Sequence, residues 1–197
     1  MAEGMRIVAL SGSARRASFN TALLRATAAL LAPPHALEVR TIAGIPLYDG
    51  DLEQERGIPD SVAALKDAIA GADGLVIATP EYNHSLPGPL KNAIDWCSRP
   101  TGDIERVFGG RPVALCGATM GTGATALAQA AWLPVLRRLG VRPWTGGQLA
   151  VSTAHEAFDE AGAFRDAATR ARAERFANGF AAFCAACARA EAAPEAR

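Results

Sequence analysis

A chain of 197 residues, 50% of them hydrophobic, is long enough for one well-buried core and short for two. Its 20 lysines and arginines cancel 20 aspartates and glutamates, so no global field draws in nucleic acid or a membrane surface. No apolar stretch approaches the roughly 20 residues that span a bilayer. The cysteines, Cys97, Cys116, Cys184 and Cys187, are too few and too unevenly placed for a disulfide framework, and with no signal peptide ahead of them a reducing cytoplasm is the expected setting.

In chain order, the apolar runs RIVALSG, LEVRTI, GLVIATP, PVALCGA and GQLAV are short, rich in Val, Ile and Leu, and nearly uninterrupted, the pattern of strands covered on both faces. After the first run Leu23, Thr27, Leu30 and Leu31 fall at helical spacing, and after the second Val62, Leu65 and Ile69 do. The third run leads into LPGPLKNAIDW. There Pro87 and Pro89 sit near a helix start, where a missing N–H costs nothing, and Leu90, Ala93, Ile94 and Cys97 repeat on one face. Lys91 and Asp95, four apart on that helix, read as a solvated ion pair. A fourth helix, ATALAQAAWLPVLRRLG, carries Pro134 inside, where a kink is expected, and ends at Gly140. The last helix, from about Ala161, puts Phe176, Phe180, Phe183, Cys184 and Cys187 on one core-facing side. Its CAAC spacing lacks a second pair or a nearby histidine and reads as buried small side chains rather than a zinc or redox site. This alternation predicts parallel strands with helices on both sides: an α/β three-layer sandwich in one domain over residues 1–190, followed by a frayed tail at 191–197.

In such a sheet ligands bind at the carboxyl edges of the strands, where strand order reverses, and three loops of unusual composition fall at such edges. The first, SGSARRASFN, precedes a helix starting near Ser18, whose unpaired first-turn N–H groups and dipole favour an anion. Ser13, Ser18 and Asn20 add donors, and Arg15 or Arg16 adds a charge able to grip phosphate oxygens through two parallel bonds. A terminal phosphate monoester suits that set. The same letters also allow a plain turn in which Ser18 or Asn20 caps the helix and the arginines are solvated. Neither G-x-G-x-x-G nor G-x-x-x-x-G-K-[ST] is present, which counts against the dinucleotide fold's fingerprint and the P-loop. The second loop, TPEYNHSLPG, offers Pro80, Tyr82, Asn83, His84 and Ser85 to a flat aromatic ligand; proline-rich polar loops are also common at strand ends, and His84 alone reads as a surface residue. In the third, GATMGTGA, Gly121 and Gly123 permit close backbone approach ahead of the fourth helix.

Two stretches carry a resemblance: GSARRASFN, read as G-S-x-R-x-x-S-[FY]-N, and TPEYNHSLPGPLKNAIDWCSR, read as [ST]-P-E-Y-N-x-S-x-P-G-x-L-K-N-A-I-D-W. With IPLYDGDLE, AQAAWLPVLRRLG and AFDEAGAF, the chain resembles the NADPH-dependent FMN reductase family, in particular its quinone and chromate reductase branch. The resemblance implies a flavodoxin-like fold with a five-stranded parallel sheet of order 2-1-3-4-5, FMN as cofactor, and NADPH or NADH as co-substrate. On the matching letters, Ser13, Arg15, Ser18 and Asn20 hold the FMN phosphate with Phe19 beside them, and Pro80, Glu81, Tyr82, Asn83 and Ser85 line the ribityl chain and ring edge. Thr119 and Gly121 belong to the third loop, at the ring's pyrimidine edge. Many members carry Ser-Ser before that loop's glycine and Gly-Gly after it, where this chain has Ala118, Thr119, Gly121, Thr122, Gly123 and Ala124.

With FMN bound, the cofactor carries the redox chemistry, so no side chain is assigned a catalytic role and none a metal. The implied activity passes hydride from NAD(P)H through FMN to small-molecule acceptors: quinones, flavins, azo compounds or metal oxyanions. Family members are homodimers or homotetramers whose subunits complete each other's flavin pocket, and Glu81 or Tyr82 can serve that contact. The alternative is a flavodoxin-like electron carrier without direct NAD(P)H oxidation; the neutral charge balance and Arg15 argue against it, since such carriers are often acidic and lack that arginine.

Overall fold

Alternation within the first apolar run sends Ile7 and Ala9 to one side of a sheet and Val8 and Leu10 to the other. The computed structural model, which describes residues 4–192, builds that sheet from β1 (Arg6–Ser11), β2 (Ala36–Thr41), β3 (Gly74–Ala78), β4 (Pro112–Ala118), β5 (Arg142–Pro143) and β6 (Leu149–Val151). The helices are α1 (Phe19–Ala28), α2 (Gly50–Arg56), α3 (Asp60–Ala70), α4 (Gly88–Cys97), α5 (Ile104–Phe108), α6 (Ala126–Arg138) and α7 (Ala167–Ala192). All strand pairs are parallel, in the order β2-β1-β3-β4-β5, with β6 also on β4. The flavodoxin-like order is therefore present. One face packs Ile7, Val76 and Cys116 against Leu23, Leu24, Phe176 and Phe180 of α1 and α7. The other packs Leu10, Ile77 and Val113 against Leu65, Ile69, Leu90, Ile94, Phe108 and Trp132 of α3 to α6. Each such aliphatic or Phe side chain taken from water is worth roughly 1.5–3 kcal/mol.

Several elements differ from the sequence expectation. LEVRTI is not covered on both faces: β2 alternates between exposed and half-buried positions because it is the edge strand, paired only with β1. The fifth strand is split. Pro112 and Val113 pair with Arg142 and Pro143, whereas Cys116 to Ala118 pair with Leu149 to Val151. Between them the chain bends around Trp144, whose indole packs on Phe176 and Phe180; a Cβ on Gly146 or Gly147 would lie 2.6 or 2.7 Å from that ring. The last helix begins at Ala167 rather than near Ala161, because Phe158 and Phe164 pair across a turn closed by Gly162 at φ 80°. Finally, α2 and α5 had no sequence reading. No residue of α2 is buried, so it has no apolar stripe to detect, and it is set by Asp49, whose Oδ1 accepts from the Asp51 N–H at 2.9 Å.

α1 ends at Ala28, short of Leu30 and Leu31, which follow it in a turn. Pro89 lies in the first turn of α4 behind Pro87, α6 continues through Pro134, and Gly140 follows it at φ 71°. Lys91 reaches Asp95 at 2.6 Å on a half-exposed surface. Phe176, Phe180 and Cys184 are buried, with Phe183 and Cys187 half-buried. α7 runs to Ala192, past the expected start of the tail, and the rest of that tail lies outside the described residues.

Candidate functional site

The sheet's hydrogen bonding does not stop where its strands do. Gly12 N–H donates to the Ala78 carbonyl, Thr79 N–H to the Cys116 carbonyl, and Thr119 N–H to the Val151 carbonyl, each at 2.9 Å. The loops after β1, β3 and β4 thus leave the carboxyl edge from roots already locked to one another. Close packing sharpens this: a Cβ on Gly117 would lie 2.1 Å from Thr125 Oγ1 and 2.5 Å from the Thr79 carbonyl oxygen.

In the first loop Ser18 is the N-cap of α1, its Oγ accepting from the Thr21 N–H at 3.3 Å. Ser13 Oγ accepts from the Arg15 N–H at 3.3 Å. Because each hydroxyl accepts from backbone, each keeps its proton to donate outward. The N–H groups of Phe19 and Asn20, in the first turn of α1, have no acceptor among the described residues. Arg15 is exposed, its guanidinium carbon 5.8 Å from the centre of the Phe19 ring, and neither Arg15 nor Arg16 has a carboxylate partner among the described residues. Hydroxyl and backbone donors with an unpaired guanidinium, at a helix N-terminus, form a phosphate-type cradle. Ser18 thus caps the helix, and the donors that a phosphate would need stay unpaired among the described residues.

Asn20 departs from the expected role. It is buried, its Nδ2 donates to the Ala118 carbonyl and its Oδ1 accepts from the Ala118 N–H, both at 3.0 Å, so its amide faces the third loop and not the cradle. Glu81 departs likewise. Its Oε2 accepts from the N–H groups of Leu127 and Ala128 at 3.0 and 3.1 Å, capping α6 from a neighbouring loop. His84 Nδ1 lies 3.4 Å from Glu81 Oε1, and His84 itself is exposed.

One open crevice of about 240 Å³ collects most of the expected site: Ser13, Arg15, Ser18, Phe19, Asn20, Pro80, Glu81, Tyr82 and Thr119 all line it. Asn83, Ser85 and Gly121 do not. Asn83 and His84 form the tip of a two-residue turn between Tyr82 and Ser85, with φ of 51° and 59°, and point their loop end into solvent. Gly121 N–H donates to Thr119 Oγ1 at 3.3 Å, and the positive-φ residues of that loop are Ala124 and Thr125 rather than the glycines. Ala118, noted above only as a departure from the family's third loop, also lines the crevice, as does Met120, which was not singled out; Met120 is 60% exposed, and no local pattern marks it. Larger clefts of about 460 Å³ between α4 and α6 and about 530 Å³ beside α1 lie away from the carboxyl edge, whereas this crevice combines that edge with free donors.

The cysteines stand outside this chemistry. Burial pushes the Cys97 and Cys184 thiols up to about 12 and raises Cys116 as well, which favours the protonated thiol at each. No group of three or more potential metal-binding His, Cys, Asp or Glu side chains occurs among the described residues, and no helix there is long and apolar enough to cross a membrane.

The sequence profile of the NADPH-dependent FMN reductase family matches residues 5–156, a span that contains every loop of the crevice. The chain belongs to this family. It is 40% identical to an NAD(P)H-dependent FMN reductase of Pseudomonas aeruginosa over 84% of this chain and 88% of that one. It is 46% identical to a quinone reductase of Escherichia coli over 61% of this chain and 63% of that one. Among solved structures, the flavoenzyme NAD(P)H:(acceptor) oxidoreductase of Paracoccus denitrificans superposes with a TM-score of 0.81 at 31% identity, covering 91% of this chain and 97% of that one. The chain is thus an oxidoreductase of a family that uses FMN with NAD(P)H as the electron donor.

Proposed function

We propose that this chain passes electrons from NAD(P)H through FMN, held in the crevice, to small-molecule acceptors, with quinones and free flavins foremost and azo compounds or metal oxyanions within reach of the same open site. The observation that carries this reading is the cradle at the start of α1, where, among the described residues, donors without acceptors meet an arginine without a carboxylate. Ser13, Ser18, Arg15 and the first-turn N–H groups would hold the phosphate, while Pro80, Tyr82, Thr119 and Met120 would flank the rest of the molecule. When bound, FMN supplies the two-electron chemistry between nicotinamide and acceptor. The chain's own part is to fix the cofactor's charged tail, to offer backbone N–H groups of the second and third loops to the ring edge, and to leave one ring face open to both co-substrates.

A crevice of about 240 Å³ falls below the ~300–1,000 Å³ usual for a small-molecule pocket. Tyr82 and Met120 at its rim, and Leu127 and Leu133 on α6, are half or more exposed. Both features support a homodimer or homotetramer in which a second copy covers this rim. Anaerobic titration tests the reading: protein loaded with FMN should bleach on addition of NADPH or NADH and regain its colour with a quinone. Protein that takes up no FMN would overturn it, and FMN that stays oxidised under NAD(P)H would favour a carrier.

A further inference from the structure

Asn20 lies in the motif that the resemblance assigns to the phosphate, yet both polar atoms of its side chain bond the Ala118 backbone instead. Nδ2 and Oδ1 form a closed pair with the Ala118 backbone across 98 residues of chain, in a buried setting, as a base pair would. Ala118 is the last residue of β4, and Thr119 and Met120, which line the crevice, follow it directly. Resting on the flavin reading above, we propose that Asn20 is a positioning residue. Its side chain fixes the backbone of the third loop against the helix start that holds the phosphate, and so sets where the third loop meets the ring, while only its backbone N–H faces the phosphate.

Two features make this loop dependent on such a strut. Ala124 and Thr125 hold φ of 49° and 60°, a conformation that non-glycine residues adopt at a cost and keep only when their surroundings fix it. The loop's N-terminal side is otherwise held by the Thr119 N–H to Val151 bond, from the end of β6, and the Ala154 N–H to Thr119 bond, from the segment that follows it. Losing Asn20 leaves a buried backbone N–H and carbonyl at Ala118 unpaired, and the loop must shift to satisfy them.

The experiment compares FMN with riboflavin, which lacks the phosphate, in binding titrations of the flavin-free protein with Asn20→Ser, Asn20→Leu and Arg15→Ala. A positioning role predicts that both Asn20 variants weaken FMN and riboflavin by the same factor, about tenfold, with a displaced visible spectrum of the bound flavin. Arg15→Ala should weaken FMN alone. If Asn20 variants lose FMN affinity but keep that for riboflavin, or keep both, the proposal is overturned. Amide hydrogen exchange on the flavin-free chain supplies a second readout: Asn20→Ser should speed exchange at Ala118 and the following residues, and unchanged protection there would equally refute the strut. That measurement stands even if wild-type protein bound neither flavin, an outcome that would sink the flavin reading instead.

Discussion

From Arg99 to Arg106 every cation meets a carboxylate. Arg99 Nε donates to Glu53 Oε2 at 2.8 Å, Arg106 forks onto Asp103 at 2.7 and 2.9 Å and reaches Asp67 at 3.0 Å, and Lys66, with a side chain only 4% exposed, lies 2.7 Å from Asp103. In the turn from Ser13 to Asn20 two adjacent arginines meet none among the described residues. The first region is a clamp that joins α2, α3, α4 and α5, and its Asp103 carboxyl is held well below the usual carboxylate range by the Arg106 guanidinium and then by Lys66. The second is free to take an anion from outside. An arginine cluster is therefore structural or receptive according to whether the fold brings acids to it.

The sharpest way to break the clamp is Asp103→Asn, which leaves Lys66 buried without its counter-charge and should cost about 3 kcal/mol at pH 7. The sign of its pH dependence is fixed. Asp103 has a depressed pKa in the folded chain, so its stabilisation is complete above the ordinary aspartate pKa of about 4 and is lost as pH falls through the lower folded value. Urea melts of wild type and Asp103→Asn should converge as pH drops from 7 toward 2, while FMN affinity of the folded variant stays unchanged. A gap that widens in acid would contradict the clamp.

Gly117→Ala comes next, because its Cβ would press on Thr125 and the Thr79 backbone. Thermal melting should register a loss of about 1–3 kcal/mol, with weaker FMN retention as the second and third loops are pushed apart. Arg15→Ala tests the receptive region itself: FMN affinity should fall about tenfold and lose part of its salt dependence, with no change in unfolding midpoint. Equal affinity would mean that Arg16 or the backbone alone carries the phosphate. The smallest effect is expected from His84→Gly, which relieves the left-handed turn at the tip of the second loop. Denaturant melts should show a gain of about 0.5–1 kcal/mol after glycine's own entropy cost, and a loss would mean that the His84 contact with Glu81 outweighs the strain.

Much of this was legible in the letters, for local reasons. The uninterrupted runs at Ile7–Leu10 and Leu75–Ala78 announce strands buried on both faces, and Ser18 marks a helix start because a short hydroxyl side chain reaches its own first turn. Edge position left no such trace. LEVRTI reads like the central strands and is exposed because nothing follows it in the sheet. Likewise Trp144 splits the fifth strand only because α7 offers it Phe176 and Phe180. Two of the expected site residues carry side-chain partners that the letters did not announce, for the same reason. Asn20 and Glu81 can each hydrogen-bond a ligand, and their letters do not say that Ala118 and the start of α6 occupy them first.

The sequence by itself determined the alternating strands and helices, the helix start at Ser18 and the donor-rich first loop, since backbone propensity, side-chain spacing and capping act over a few residues. Tertiary structure decided which polar groups remain available. Hydrogen-bond capacity is finite and buried groups must be paired, so a donor's partner depends on what the fold brings within 3 Å, often from 50 or 100 residues away, as Thr79 with Trp132 and Asn20 with Ala118 show.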